Sequence, residues 1–470
     1  MVLVDTKPDF TKFRAEHARG RRERARKRLV MLIFLVYWLL ILEGILRKWI
    51  LPEYSKELFF IRDPFVLLIY FIAWRNGMWP KLQGLFLAAV ILGLLVGVLV
   101  IAQLLATHHT TVLLAAYGWR AYFLYIPLAF IIGKQFKHDD ITRLMRHTMI
   151  LSLPIAVLVA VQFYSSPTSW INVQAFDGIM GRIRPAGTFS SVVGQWMFGA
   201  SLVAFLITTW VSRVKERKIG RTLLYLATAA AFVCLGVSIS RGMIIQSAIV
   251  MLSAIFAGLI MRGGASTMRA WVFPLTLSIV GIALFPILLP EAYEVNAARW
   301  GTAQHIESHN FQLGLLGRAL YNFFLFVSYI PSTPIIGWGM GLGGNAGQLD
   351  KDIKLPILAE DDWSRQIVDI GPIFGVLYIV LRVSFFIILG LRSVGATRRS
   401  GQALPVVLFG FVGITLLFGQ ITGQGSANGY AWIFVGLLMA SINLSSPKID
   451  KRTPVTTPKK VGRANHPHDK

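Results

Sequence analysis

A chain of 470 residues that is 55% hydrophobic and only 15% charged is not a soluble globule, since soluble domains carry about 25% charged residues. The formal net charge of +24 raises nucleic acid as a partner, but the placement of the basic residues along the chain accounts for it as membrane topology, and no nucleic-acid partner is expected. The single cysteine, Cys234, lies inside an apolar run, which excludes an intramolecular disulfide and a cysteine-based metal site.

From the N-terminus, residues 1–28 form a basic head that ends in Arg19-Gly-Arg-Arg-Glu-Arg-Ala-Arg-Lys-Arg28. It reads as a cytoplasmic flank that also meets anionic lipid headgroups. No small-residue cleavage site follows, so the first apolar run is expected to be a retained anchor. Apolar runs of about twenty residues are membrane-spanning helices, because lipid offers the backbone no partners of its own. About twelve are expected, near 29–46, 58–74, 82–106, 112–133, 148–164, 190–211, 222–239, 243–261, 271–289, 366–391, 403–419 and 429–445. The fold class is therefore all-α: a polytopic integral membrane protein with nine helices over 29–289, a long outer loop with short helices over 290–365, three helices over 366–445, and a disordered basic tail over 446–470. With the head placed inside, 33 of the 47 Lys and Arg residues fall on the inner loops and the two termini, as the positive-inside rule requires. Both termini are then cytoplasmic.

The outer face keeps few basic residues, mostly arginines near membrane depth. Arg241 sits in a three-residue turn, Ser240-Arg241-Gly242, between the seventh and eighth spans. A tight turn needs small residues and glycine, but it has no need of arginine. Arg241 is either an interfacial side chain snorkelling to headgroups or a fork of donors aimed at a diphosphate in the outer leaflet. Arg182 and Arg184 lie in a Gly- and Pro-rich turn before the sixth span. There Thr188, Ser190 and Ser191 are candidate helix caps, and the helix start is an anion seat. Arg120, inside the fourth span, must face protein or a cavity, as structure or as site. Glu43 and Asp63 are expected near the outer surface, paired with Arg47 or Arg62.

Pro290 to Arg365 is the one long non-apolar segment between hydrophobic runs, and it holds 8 of the chain's 23 acids. Gly317-Arg318 opens an apolar stretch to Ile330 that is too short to span comfortably and is expected on or in the outer interface. The glycine run from Gly337 to Gly344 lacks the Lys-Ser/Thr of a P-loop and reads as close packing or a hinge, not a nucleotide cradle. Glu360-Asp361-Asp362, next to Arg365, is a cluster of carboxylates at the interface. Crowding raises the pKa of at least one member, which suits a general base acting on a hydroxyl. The same oxygens suit a hard cation, or form a solvated flank to Arg365. His305 and His309 have the four-residue spacing of one helix face and are secondary candidates as base or ligand.

Four of these pieces, in order, resemble the O-antigen ligase and O-antigen polymerase superfamily of bacterial polytopic membrane glycosyltransferases. Arg184-Pro-Ala-Gly-Thr-Phe189 before a span resembles the family's Arg-x-x-Gly-Thr-Phe. Ser240-Arg241-Gly242 resembles its Ser-Arg-Gly turn. Gly317-Arg318 followed by Pro334-Ile-Ile-Gly-Trp-Gly-Met-Gly341 resembles its Gly/Ser-Arg helix and Pro-x-x-Gly-x-Gly-x-Gly run. Glu360 through Gly371-Pro-Ile-Phe-Gly375 resembles the block that closes the long outer loop. The resemblance covers roughly residues 150–380. One departure is chemical: Glu360-Asp361 stands where the family has His-Asn, and a carboxylate can serve as a base but cannot donate a cationic hydrogen bond.

The resemblance implies a donor glycan on an undecaprenyl-diphosphate lipid in the outer leaflet of the bacterial cytoplasmic membrane. Arg184, Arg241 and Arg318 would hold the diphosphate, and Glu360 or Asp361 would be the base. Arg120, Arg182, His305, His309, Asp362 and Arg365 are secondary candidates. Neither cofactor nor metal is implied, because the energy is already in the lipid diphosphate. The reaction would invert C1, and the acceptor would separate a polysaccharide polymerase from a ligase. Membrane lipids and other polysaccharide assembly proteins are the remaining candidate partners. A transporter would also be polytopic, but it should show related halves, and no internal repeat is evident.

Overall fold

The computed structural model describes residues 10–106, 110–212, 218–261, 265–311, 314–343 and 361–445. Glu360, the first nine residues and the tail from 446 lie outside the described residues. Sixteen α-helices follow in order: α1 (Phe10–Ile45), α2 (Asp63–Arg75), α3 (Gly84–Ala106), α4 (Val112–Trp119), α5 (Ile126–Gln135), α6 (His138–Tyr164), α7 (Val192–Val211), α8 (Arg221–Val237), α9 (Arg241–Ile260), α10 (Ala265–Leu288), α11 (Pro290–Asn310), α12 (Gly314–Phe324), α13 (Phe326–Tyr329), α14 (Asp362–Ser400), α15 (Leu404–Phe418) and α16 (Gly425–Leu444).

The protein is an all-α polytopic membrane protein; each of the twelve expected runs overlaps a helix, and the fourth overlaps two, α4 and α5. Among the described residues nine helices, counting α4 and α5 as one, are long and apolar enough to cross a membrane. The other three, α2, α8 and α15, have 13, 17 and 15 residues, short of the ~20 that a bilayer core takes. The shortfall in α2 has a local cause. Leu58–Phe60 forms a separate 3-10 turn, and Asp63-Pro64 sets a new helix start beyond it. The expected all-helical reading also misses a two-residue hairpin, Phe176–Asp177 against Ile183–Arg184, in the loop before α7.

α7 and α16 form the centre, each with 83% of its span window buried, whereas α10 is peripheral with 6%. Small residues let the central helices close up, as packing between apolar helices in lipid requires. A Cβ on Gly436 of α16 would stand 2.6 Å from the Ile132 side chain of α5, and one on Gly133 would stand 2.7 Å from Met439. Phe205 of α7 and Phe411 of α15 both pack on Phe434 of α16.

Several charged residues inside the bundle pair with one another, as intramembrane charges commonly do. Glu43 pairs with Arg62 at 3.0 Å, as expected. Asp63 instead takes Arg120, whose Nη2 donates at 2.9 Å, and the Tyr125 hydroxyl, at 2.8 Å. A π-helical turn, Arg120–Leu124, joins α4 to α5, and the residues at its start and just past its end both reach Asp63. The rings of Phe59, Phe60, Tyr117 and Tyr125 enclose the Arg120 guanidinium. Arg120 is thus a structural tie from α2 to the α4–α5 unit.

α14 is broken at Gly371, whose φ of 78° leaves the helix, and Pro372 follows with no amide to continue the ladder. The glycine run packs against this break. A Cβ on Gly371 would lie 2.0 Å from the Ile335 carbonyl, and one on Gly337 would lie 2.6 Å from the Gly371 nitrogen. Gln103 of α3 donates to the carbonyls of Ile336 and Asp369 at 2.6 and 2.8 Å and accepts from the Met340 amide at 3.0 Å. The glycines therefore serve close backbone packing.

Candidate functional site

The chain's alternation brings the starts of α7, α9 and α14 and the whole of α11 to one end of the bundle. α11 carries the candidate site. Its inward residues Ala292, Val295, Asn296, Ala303 and Glu307 recur at three- and four-residue steps, the spacing of one helix face, and Arg299 falls on the same stripe. Asn296 docks the helix by donating to the Gly236 carbonyl at the end of α8, at 2.8 Å.

Arg241 is the first residue of α9, and Ser240 caps the helix by accepting from the Met243 amide at 3.3 Å. The residue before the cap, Ile239, is buried with φ of 48°. A β-branched side chain in the left-handed region costs about 1–3 kcal/mol, so the surrounding packing holds this turn in a strained form. Gly242 completes the motif for a steric reason: a Cβ there would meet the Trp196 ring at 2.8 Å. Arg241 then forks onto Glu307, with Nη2 to Oε1 at 2.7 Å and Nη1 to Oε2 at 3.1 Å. Its guanidinium also lies 5.6 Å from the centre of the Trp300 ring. From α12, Arg318 donates to the same Glu307 Oε1 at 2.9 Å. Glu307 is 2% exposed, and the Arg241 guanidinium holds its carboxyl below the usual carboxylate range, against the pull of burial and with help from Arg318.

Arg184 has a different setting. It ends the hairpin and opens a buried loop, Pro185 to Phe189, that is tied down on both sides. Gln162 accepts from the Gly187 amide at 2.8 Å, Lys48 donates to the Gly187 carbonyl at 2.7 Å, and the Thr188 hydroxyl donates to the Ile41 carbonyl at 2.6 Å. The helix caps expected here are not made: Thr188 is turned to α1, Ser190 accepts from Arg47 at 3.1 Å, and Ser191 makes no side-chain cap bond. Nε of Arg184 is buried with no hydrogen-bond partner, and among the described residues no carboxylate pairs with this side chain. Burial pushes its guanidinium down, and the nearby Arg299 pushes it further. Arg299 itself has no carboxylate partner among the described residues. Two neighbouring guanidiniums without a counter-ion make a seat for an anion.

The remaining candidates are placed as follows. Arg182 pairs with Glu291 and donates to the carbonyls of Phe163 and Tyr164. His305 and His309 lie on the exposed side of α11, away from Glu307. Asp361 caps α14 by accepting from the Ser364 amide at 2.9 Å, and its other oxygen, Oδ2, is buried without a hydrogen-bond partner. Asp362 is saturated: it accepts from Arg365, Arg382 and the Thr422 hydroxyl, and from the amides of Ile421 and Thr422. Together with Arg365, which also donates to the Gly343 carbonyl, it locks α14 to the loop before α16. No hydrogen bond or ion pair among the described residues joins Asp361 to Arg184, Arg241 or Arg318. No group of three or more His, Cys, Asp or Glu residues among those described is arranged to hold a metal ion.

The sequence singles out Arg184, Arg241 and Arg318; it shows Glu307 and Arg299 only as an acid and a cation of the long loop, and the fold gives them their neighbours. The signal was present: Asn296, Arg299, Ala303 and Glu307 follow one another at helical spacing, with alanine where a helix packs closely. No family model matches the chain, and neither a curated protein nor a solved structure matches it.

Proposed function

We propose that this protein is an inverting membrane glycosyltransferase that moves a glycan from an undecaprenyl-diphosphate donor at the outer leaflet. Polymerisation of polysaccharide repeat units is the favoured reaction. The observation that carries the reading is that two arginine pairs meet one face of α11 about two turns apart, Arg184 beside Arg299 and Arg241 with Arg318, and that Glu307 is their only carboxylate partner among the described residues. Guanidinium forks suit phosphoryl oxygens, and donors already in place are the largest single source of catalysis where charge grows on a leaving group. The motif resemblance supports the same donor class.

In this mechanism the arginines hold the diphosphate while the bond from C1 to its oxygen breaks, and the negative charge develops on the lipid diphosphate. Asp361, through its unpartnered Oδ2, or the adjacent Glu360 takes the proton of the acceptor hydroxyl. That oxygen attacks C1 from the opposite face and inverts it. Asp362 is unsuited to the task, since its lone pairs are already taken by two guanidiniums and the Thr422 group. The bacterial cytoplasmic membrane, with both termini inside, is the location that fits the alternation of basic loops.

The test is a reconstitution. Purified protein in detergent receives undecaprenyl-diphosphate-linked repeat units; glycan length is followed on a gel and released lipid diphosphate by mass spectrometry. Elongation with release is the expected result. Transfer only when a lipid or protein acceptor is added would make the protein a ligase. An intact donor under every acceptor, from a well-folded sample, would overturn the glycosyltransferase reading and favour transport.

A further inference from the structure

We propose that Glu307 is a resident counter-anion, occupying in the empty protein the place that a diphosphate takes when it binds Arg241 and Arg318; this rests on the diphosphate-site reading. Three observations carry it. Glu307 accepts a two-pronged fork from Arg241, at 2.7 and 3.1 Å, the arrangement that guanidinium also offers to phosphate. It collects a second guanidinium, Arg318, at 2.9 Å on the same oxygen. It is buried, although its neighbours Ile306 and Ser308 on α11 are exposed. The remaining cations, Arg184 and Arg299, lack a carboxylate partner among the described residues, so the carboxylate neutralises only part of the cluster and leaves it positive.

A carboxylate held by two arginines stays ionised and is a weak base, so proton abstraction is not its task. Its effect is competitive. An incoming anion must take both guanidiniums from it, which a ligand with several negative oxygens does better than a singly charged one. The site is then partly neutralised when empty, stays folded without a ligand, and favours a diphosphate over weaker anions. Binding requires the last turns of α11 to give up their anchor.

The test uses the full-length protein in detergent and inorganic pyrophosphate as the probe, with affinity read by titration calorimetry. Glu307→Gln, which keeps the shape and removes the charge, should bind pyrophosphate about tenfold more tightly than the natural chain, equivalent to about 1.4 kcal/mol. Equal or weaker binding by a Glu307→Gln protein with unchanged melting temperature would overturn the proposal and leave Glu307 a structural brace. Arg241→Ala tests the underlying reading separately: if it binds pyrophosphate as the natural chain does, the diphosphate site itself is wrong. A second measurement needs no variant. In the natural chain, saturating pyrophosphate should speed hydrogen exchange at amides 304–310, where the anchor is lost, and unchanged or slower exchange there would equally count against displacement.

Discussion

Arg184 and Arg241 carry the same side chain and end in opposite electrostatic settings. Arg241 is neutralised by Glu307, whereas Arg184 faces another cation and has an orphaned Nε. Sequence reading placed both at the outer surface but could not tell them apart, because the partner of Arg241 lies 66 positions away. The same limit applies to the carboxylates at the start of α14. Read along the chain, Asp361 and Asp362 form one acidic cluster. In the fold, Asp361 keeps a free oxygen and Asp362 is a hub that reaches Thr422. Substitution should separate them. Asp361→Asn keeps a good N-cap, so the melting temperature should hold while donor turnover drops by about 10²- to 10⁴-fold. Asp362→Asn leaves two buried guanidiniums without their counter-charge and should cost about 3–5 kcal/mol of stability, read as a large fall in the detergent melting temperature. Equal stability of the two variants would contradict these roles.

At the scale of elements, the helices were legible because lipid dictates their composition. Their lengths were less so, because a helix start depends on local chemistry such as Asp63-Pro64. The break in α14 had a signal in Gly371-Pro372, but its purpose emerges only from the glycine run that packs onto it. Close packing between α5 and α16 makes a direct prediction. Gly436→Leu forces a side chain into the Ile132 contact, where even a Cβ would sit at 2.6 Å, and overpacking of this kind costs about 1–3 kcal/mol or more; the yield of monodisperse protein should fall, while Gly281→Leu, at a site with open space around it, should be tolerated. The docking of α11 should respond to acid. Glu307 has a carboxyl lowered from its ordinary value of 4.5, so its contribution to stability is present above that value and is lost as pH falls through the lower folded value. Proteolysis of α11 should therefore be unchanged between neutral pH and about pH 5 and should increase only in stronger acid, below about pH 4.

At the scale of the whole molecule, the sequence pattern divides the bundle into a strongly basic inner end and an outer end with few basic residues, most of them arginines. The structure sets the α11 site at the end opposite to Arg26, Asp140 and Lys218. A cavity of about 490 Å³ opens at that other end, between His138, Thr208, Ser212, Lys218 and Gln402. It lacks the converging arginines, and its Lys218 already pairs with Asp139. Orientation can be tested directly, because the only natural thiol, Cys234, is buried. Ser166→Cys and Gln402→Cys place exposed thiols at the two ends. In intact cells or spheroplasts, a membrane-impermeant reagent should label the first and reach the second only after permeabilisation. The reverse pattern would invert the topology and place the arginine cluster in the cytoplasm.

α12 gives this arrangement a kinetic consequence. It meets α11 at a bend of 63°, packs Phe323 onto Trp363 with ring centres 4.5 Å apart, and leaves Leu316, Leu320 and Phe324 exposed beside Arg318. A short helix with one exposed apolar face and an arginine beside it suits a membrane interface at headgroup height. On the proposed function, a polyprenyl donor would reach the site without lifting its tail into water, a transfer worth about 0.8 kcal/mol for each methylene. The search for that substrate would then be two-dimensional, and the quantity that sets occupancy would be the mole fraction of donor among the lipids, not its amount in the surrounding solution.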